Sequence, residues 1–199
     1  SMVWGGGYCR ESPRTVPFGG RKAILDTNPI AMGFPAGDDS PMILDFATTT
    51  LSGVKVINAQ RRGQNLPPGC IVDKDGNPTT NPQDYIDGGA ILPVGADQGH
   101  KGYGLSFMVE MFSGILTGLG FGLDPQARHN DGCFMVAFDV NAFRPVEEFK
   151  TEVTDFANYL KSSRRANGVK SIYYPGELEH LRTQENLRIG LNVEDSTWD

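Results

Sequence analysis

The sequence has no long apolar run and contains few cysteines. Nothing in its 199 residues reaches the length of a membrane span, and the opening Ser1-Met2 with its glycines lacks the basic and apolar regions of a signal peptide. We therefore expect a protein that is neither membrane-bound nor secreted, and we place it in the cytoplasm. Its three cysteines, Cys9, Cys70 and Cys133, have no paired spacing, which favours free thiols.

Metal-binding and nucleic-acid-binding patterns are also missing. His100, His129 and His180 form no His-x-x-x-His motif, and none of them stands beside a cysteine, so we predict no metal site. The net charge is −6, and the 18 lysines and arginines are scattered along the chain. A surface that binds nucleic acid needs clustered positive charge, so we predict no nucleic-acid partner.

The sequence has no Gly-x-Gly-x-x-Gly, and no Ser or Thr follows Lys101 as a P-loop requires. It does place glycines 95, 99, 102 and 104 around Lys101, directly before an apolar run that continues at helical spacing to Leu119. This pattern is typical of a glycine-rich loop that leads into a helix, where N–H groups and a lysine bind a phosphate. The alternative is a turn and a helix start, with Lys101 in solvent.

The order of elements predicts an α+β fold with a mixed sheet, because strands and helices do not alternate regularly. We treat residues 1–14 as a tag remnant or disordered lead, with order beginning near Thr15. We predict strands at 41–48 (buried), 90–93 (short) and 133–139 (central in its sheet), an irregular connection at 66–78, and helices at 51–62, 145–167 and 175–188.

Several motifs occur in an order that resembles the malate/L-lactate dehydrogenase family, which also includes sulfolactate, ureidoglycolate and diketogulonate oxidoreductases. These motifs are Pro17-Phe18-Gly19-Gly20, Thr27-Asn28-Pro29-Ile30-Ala31, Leu44-Asp45-Phe46-Ala47-Thr48, Leu66-Pro67 with Gly69, Asp73-Lys74-Asp75-Gly76-Asn77-Pro78-Thr79-Thr80, Leu92-Pro93, Lys101-Gly102-Tyr103-Gly104-Leu105 and Pro175-Gly176-Glu177. The resemblance implies a non-Rossmann domain, built on a largely antiparallel sheet flanked by helices, that binds NAD or NADP. It also implies hydride transfer between a 2-hydroxy acid and a 2-oxo acid in a homodimer.

The resemblance also implies which residues contact the cofactor. They are Asn28, Met42, Ile43, Leu44, Asp45, Phe46, Ala47, Thr48, His100, Lys101, Gly176, Glu177 and Leu178. We expect the cofactor-binding domain at residues 15–172 and a carboxyl-terminal helical segment at 173–199.

Several of these residues have a second interpretation. Asn28-Pro29 sets a turn or contacts the cofactor, and Asp45 caps a strand end or anchors a ribose. Asp73 is a turn residue or a carboxylate that faces the substrate, and it is the only catalytic candidate. His100 polarises a carbonyl or lies in solvent beside Lys101.

Two features depart from the family pattern. Asp26 stands where the family usually has glycine, which changes the loop conformation or brings negative charge near the phosphates. The family's amino-terminal domain carries a Ser-His-Gly motif, whose histidine resembles a proton donor, and this motif is absent here. We therefore expect a carboxyl-terminal fragment that is inactive alone. The alternative is a non-catalytic nucleotide-binding or oligomerisation module.

Overall fold

The computed structural model describes residues 1–7, 14–37, 40–127, 131–193 and 198. Cys9 and His129 lie outside these described residues. The strands are β1 (Met2–Gly7), β2 (Pro29–Phe34), β3 (Met42–Ala47), β4 (Ile71–Val72), β5 (Pro78–Thr79), β6 (Ala90–Ile91) and β7 (Asp131–Val136). The helices are α1 (Gly53–Arg61), α2 (Pro82–Ile86), α3 (Gly99–Val109), α4 (Val146–Lys161) and α5 (Glu177–Ile189), with 3-10 turns at Ala96–Gln98 and Val140–Ala142 and a π-helix at Glu110–Ile115.

The chain forms two compact units. The larger unit comprises residues 2–31 and 46–136, and the smaller unit comprises residue 1, residues 32–45 and residues 137–199. These bounds differ from the expected division into 15–172 and 173–199, because residues 137–172 cluster with the carboxyl-terminal segment.

Two sheets are present in the described part of the chain. Four strands follow the order β3-β2-β1-β7, and three short strands follow the order β5-β4-β6. β1 pairs antiparallel with β7, with Met2 opposite Val136, and β4 pairs antiparallel with both of its neighbours. The predicted α+β class with a largely antiparallel sheet is confirmed.

The first residues are more ordered than the sequence predicts. We expected a disordered lead over residues 1–14, but Met2–Gly7 forms β1. Its anchor is Trp4, whose ring lies 5.1 Å from the ring of Phe112 and 5.4 Å from that of Phe134. Glycine has a low strand propensity, so the local sequence does not reveal this strand, which tertiary packing stabilises.

The burial of β3 and the position of β7 also differ from expectation. β3 was predicted to be buried, yet it ends its sheet, and Ile43 and Leu44 are 45% and 39% exposed. β7 was predicted to be central, but it lies at the other end of the strand order. Its exposed Cys133 and Met135 alternate with more buried neighbours, as in a strand with one packed face.

The segment predicted to be an irregular connection contributes to the core of the larger unit. Ile71 and Val72 form β4 and are 0% and 4% exposed. Ile71 packs with Val56 and Ile91. Its apolar island is too short to show a period in the sequence, so only its pairing with β5 and β6 reveals it.

The helices follow the sequence patterns more closely. Ser52 caps α1, since its Oγ accepts a hydrogen bond from the Lys55 N–H at 3.3 Å. Pro145 directly precedes α4, as its fixed φ favours. Within the described ranges, no helix combines the length and apolar character needed to cross a membrane. The same residues contain no cluster of three or more His, Cys, Asp or Glu side chains suited to a metal.

Candidate cofactor site

In the smaller unit, strand β3 meets the turn that precedes α5. The Ile43 N–H donates to the Pro175 carbonyl at 3.1 Å. Gly176 has a φ of 87°, and a Cβ on it would lie 3.0 Å from both the N and the O of Ile43. Glycine is therefore required at this turn for its positive φ and for its close contact. The structure thus brings Ile43 of β3 together with Pro175 and Gly176.

A groove of about 800 Å³ opens beside this junction within the smaller unit. Its walls include Ile43, Leu44, Tyr173 and Tyr174, and its polar groups include Ser40, Asp45, Glu179, His180 and Thr183. This volume falls within the range of small-molecule sites, and apolar walls with a few polar groups are typical of them.

Sequence reasoning found only part of this groove. It missed Tyr173 and Tyr174, which stand directly before the Pro-Gly-Glu motif, and the polar face of α5. The sequence feature that indicates this polar face is the spacing of Glu179 and Thr183, since residues four apart lie on one face of a helix. Asp45 is exposed in the groove.

Glu177 is held by protein groups. One carboxylate oxygen accepts from the Tyr174 N–H at 3.1 Å, and the other is paired with Lys161. Its side chain is 12% exposed, and the Lys161 ammonium lies 5.5 Å from the centre of the Tyr174 ring. Glu177 therefore fixes the turn before α5, where a carboxylate also suits the positive end of the helix.

In the larger unit, Asn28 is fully buried in a left-handed turn with a φ of 44°. Its Nδ2 donates to Glu110 Oε1 at 2.8 Å and to Ser106 Oγ at 3.0 Å. A Cβ on Gly6 would lie 2.6 Å from Asn28 Oδ1, so only glycine leaves room for this side chain. Asn28 thus sets a turn, and its amide binds protein groups.

Thr48 is fully buried at the end of the β3 segment. Its Oγ donates to the carbonyls of Thr27 and Asn28, both at 3.0 Å. Phe46 and Ala47, which precede it, are partly exposed. Thr48 therefore ties the β3 segment to the Asn28 turn.

The glycine-rich segment is helical, in contrast to the loop predicted from the sequence. A 3-10 turn at Ala96–Gln98 leads directly into α3, which already contains the glycines at 99, 102 and 104. A Cβ on Gly102 would lie 2.2 Å from the Val94 carbonyl oxygen. Packing of the helix against Val94 therefore explains this glycine. The sequence pattern alone does not distinguish such packing from a close approach to a ligand.

Lys101 and His100 are exposed in the first turn of α3. The His100 ring lies edge-on to Phe18, with ring centres 5.7 Å apart. The Gly99 N–H is bonded to the Ala96 carbonyl of the preceding 3-10 turn. The cationic Lys101 side chain and the positive end of the helix dipole therefore give this end of α3 the polarity that suits an anion.

Asp73 forms a turn. Its Oδ1 accepts from the N–H groups of Asp75 and Asn77, both at 2.9 Å, and its Oδ2 accepts from the Asn77 side chain at 3.1 Å. These bonds, led by the backbone N–H of Asn77, lower the pKa of the Asp73 carboxyl below its ordinary value. Its oxygens bind this turn, which favours the turn interpretation over the catalytic one.

Asp26, which departs from the family pattern, is engaged locally. Its Oδ1 accepts from the Thr27 N–H at 2.7 Å and lies 3.6 Å from the Arg14 guanidinium. Because Arg14 is a counter-charge, the negative charge of Asp26 is partly balanced within the larger unit.

Comparison with known proteins identifies the family. The family model described as malate/L-lactate dehydrogenase matches residues 4–199. Malate dehydrogenase of Pyrococcus horikoshii is 35% identical over 189 residues, covering 91% of this chain and 52% of that protein. Ureidoglycolate dehydrogenase (NAD(+)) of Escherichia coli K12 is 32% identical over 197 residues, covering 96% of this chain and 55% of that protein.

A solved structure agrees. The sulfolactate dehydrogenase of Methanocaldococcus jannaschii superposes with a TM-score of 0.82 at 32% identity, covering 99% of this chain and 56% of that chain. The chain spans about half the length of the curated relatives that it matches. Since the family model matches nearly the whole sequence and the relatives share about a third of its residues, the chain belongs to the malate/L-lactate dehydrogenase family.

Proposed function

We propose that this chain is the cofactor-binding part of an NAD(P)-dependent oxidoreductase that interconverts a 2-hydroxy acid and a 2-oxo acid. Family membership supports the reaction class, and the relatives are named as malate, sulfolactate and ureidoglycolate dehydrogenases. The observation that carries the proposal is the groove of the smaller unit, because two separate family motifs form it.

The residues of this groove fit part of a dinucleotide. The rings of Tyr173 and Tyr174 and the side chains of Ile43 and Leu44 offer apolar surface to a base. Asp45 offers an exposed carboxylate that can accept hydrogen bonds from ribose hydroxyls. Ile43, Leu44, Asp45 and Gly176 line the groove and would thus hold the cofactor, whereas Met42, Glu177 and Leu178 are proposed from the family resemblance alone. When bound, the nicotinamide of the cofactor would supply the hydride.

In the larger unit, Lys101 and His100 would bind the cofactor's phosphates at the first turn of α3. An exposed ammonium in the first turn of a helix attracts an anion. Phe46 and Ala47 are partly exposed and would contact the cofactor. Asn28 and Thr48 would support this surface without contacting the cofactor, because both side chains are buried and bonded to protein atoms.

The partners of the protein belong to this proposal as well. We propose a homodimer in the cytoplasm, with a 2-hydroxy or 2-oxo acid as substrate and with neither nucleic acid nor membrane as partner. The net charge of −6 supports the last point. Light scattering over a wide concentration range checks the dimer, which a strict monomer would contradict.

Titration with NADH and NADPH tests the cofactor assignment. Lys101→Ala should weaken binding by about 1.5–3 kcal/mol, the scale of a hydrogen bond to a charged group, while the melting temperature stays nearly constant. Lys55→Ala is the matched control, since Lys55 is also an exposed helical lysine of the larger unit. Equal affinities in the two variants would refute the role of Lys101, and absence of binding in the unaltered protein would refute the proposed cofactor.

A further inference from the structure

Glu110 is a buried carboxylate at the point where α3 passes into the π-helix. It is 5% exposed, and its two oxygens accept from two different N–H donors. Asn28 Nδ2 donates to Oε1 at 2.8 Å, and the Gly122 N–H donates to Oε2 at 3.1 Å. Only a group with two acceptor oxygens satisfies both donors, so the carboxyl group of a glutamate matches this position.

Asn28 extends this contact to the segment after β3. Its φ of 44° is left-handed, a conformation that few residues other than glycine and asparagine adopt, and the bonds from its amide to Glu110 and Ser106 hold it in place. The carbonyl of this turn accepts from Thr48 Oγ. The position of Thr48 therefore depends on the turn that Glu110 holds.

Thr48 in turn connects to the start of α3. Its carbonyl accepts from the Val94 N–H at 2.9 Å, and Val94 is the residue against which Gly102 packs. A closed chain of contacts thus runs from Glu110 through Asn28, Thr48 and Val94 to the first turns of the same helix. Every step lies within the larger unit.

We infer that Glu110 is a positioning residue, which holds the Asn28 turn and through it sets the relative placement of Thr48 and the first turn of α3. The inference rests on the proposed function in one respect, namely that these two segments form part of the cofactor surface. The contacts themselves do not depend on that function.

Glu110→Gln tests the inference with little change of volume. Glutamine has one carbonyl oxygen and one NH₂ group, so either Asn28 Nδ2 or the Gly122 N–H loses its acceptor. We expect NADH and NADPH to bind about 2- to 30-fold more weakly, the range for residues that act through others. Asn28→Ala should weaken binding similarly, and the double variant should be no worse than Asn28→Ala alone, because both changes break one chain of contacts.

A control separates positioning from a general loss of stability. Ile71→Val removes one methyl group from the core of the larger unit and should destabilise the fold without changing cofactor affinity. Equal affinity in Glu110→Gln and the unaltered protein would overturn the inference. Should Glu110→Gln not fold, Asn28→Ala breaks the same chain of contacts at its next member, and an unchanged affinity there would overturn the inference equally.

Hydrogen exchange tests the contacts without a ligand. In Glu110→Gln, the amides of Thr48 and Val94 should exchange roughly tenfold faster relative to the Leu92 amide, which donates to Cys70 in the same unit. A uniform change across all three amides would overturn the inference. If the unaltered protein binds neither NADH nor NADPH, the proposed function fails, while this exchange measurement still decides the role of Glu110.

Discussion

Gly102 and Gly104 lie two residues apart in α3, yet the same substitution should have opposite effects at these positions. A Cβ on Gly102 would lie 2.2 Å from the oxygen and 2.7 Å from the nitrogen of Val94. Both are backbone atoms, and the Val94 N–H is also bonded to Thr48, so the neighbour cannot retreat without losing that bond. A Cβ on Gly104 would meet no heavy atom within 4 Å.

The magnitudes follow from two opposing effects. Alanine favours a helix over glycine by about 1 kcal/mol, and this gain applies at both positions. Overpacking costs about 1–3 kcal/mol, and a Cβ placed 2.2 Å from a backbone oxygen belongs at the upper end of that range. Gly104→Ala should therefore raise the free energy of unfolding by about 0.5–1 kcal/mol, and Gly102→Ala should lower it by about 2 kcal/mol.

Urea unfolding followed by circular dichroism measures both changes, and a constant slope with urea shows that the same transition is compared. Similar stabilisation by both substitutions would refute the packing explanation of Gly102. Cofactor titration adds a second criterion. If Gly104→Ala abolished NADH binding in a folded protein, the exposed glycine would serve a close approach to the ligand instead.

Three other predictions follow from individual side chains. Thr15 Oγ1 is buried and has no hydrogen-bond partner among the described residues. Thr15→Val should therefore raise the free energy of unfolding, measured in urea, by about 1 kcal/mol. A lower free energy of unfolding would indicate that the hydroxyl is bonded to water. Burial is the main cause that raises the pKa of Glu110, so the folded state holds this proton more tightly than the unfolded state. The contribution of Glu110 to the free energy of unfolding should therefore fall as the pH rises from 4.5 through the folded pKa. In urea unfolding at several pH values, Glu110→Gln should remove this dependence of stability on pH. An unchanged dependence would assign it to other groups. Gly176→Ala should lower the free energy of unfolding by about 1–2 kcal/mol, because the φ of Gly176 is 87° and the new Cβ would crowd Ile43. An unchanged melting temperature would show that the turn accommodates the added Cβ.

The sequence was sufficient for features that depend on local chemistry. Helix α4 follows from apolar residues at spacings of three and four after Pro145, and α1 follows from its own periodic segment. The ordered motifs also identified the family, because glycine, proline and aspartate at fixed places record turns that the fold requires. The turn role of Asp73 was one of two interpretations, and its hydrogen bonds favour that one.

Tertiary structure decided what depends on distant neighbours. The strand at Met2–Gly7 has a glycine-rich sequence, and its order depends on pairing with β7 and on contacts with Phe112 and Phe134, more than a hundred residues away. The glycines around Lys101 suit either a ligand loop or a packed helix, and the position of Val94 distinguishes them at Gly102. In the sequence, Glu110 is one polar residue within an apolar helical segment. Its buried hydrogen bonds with Asn28 and Gly122 become apparent only in the folded structure. Local sequence thus determined helices α1, α4 and α5, several turns and the family of this protein, whereas burial and long-range contacts determined which of its polar residues support the candidate site and which line it.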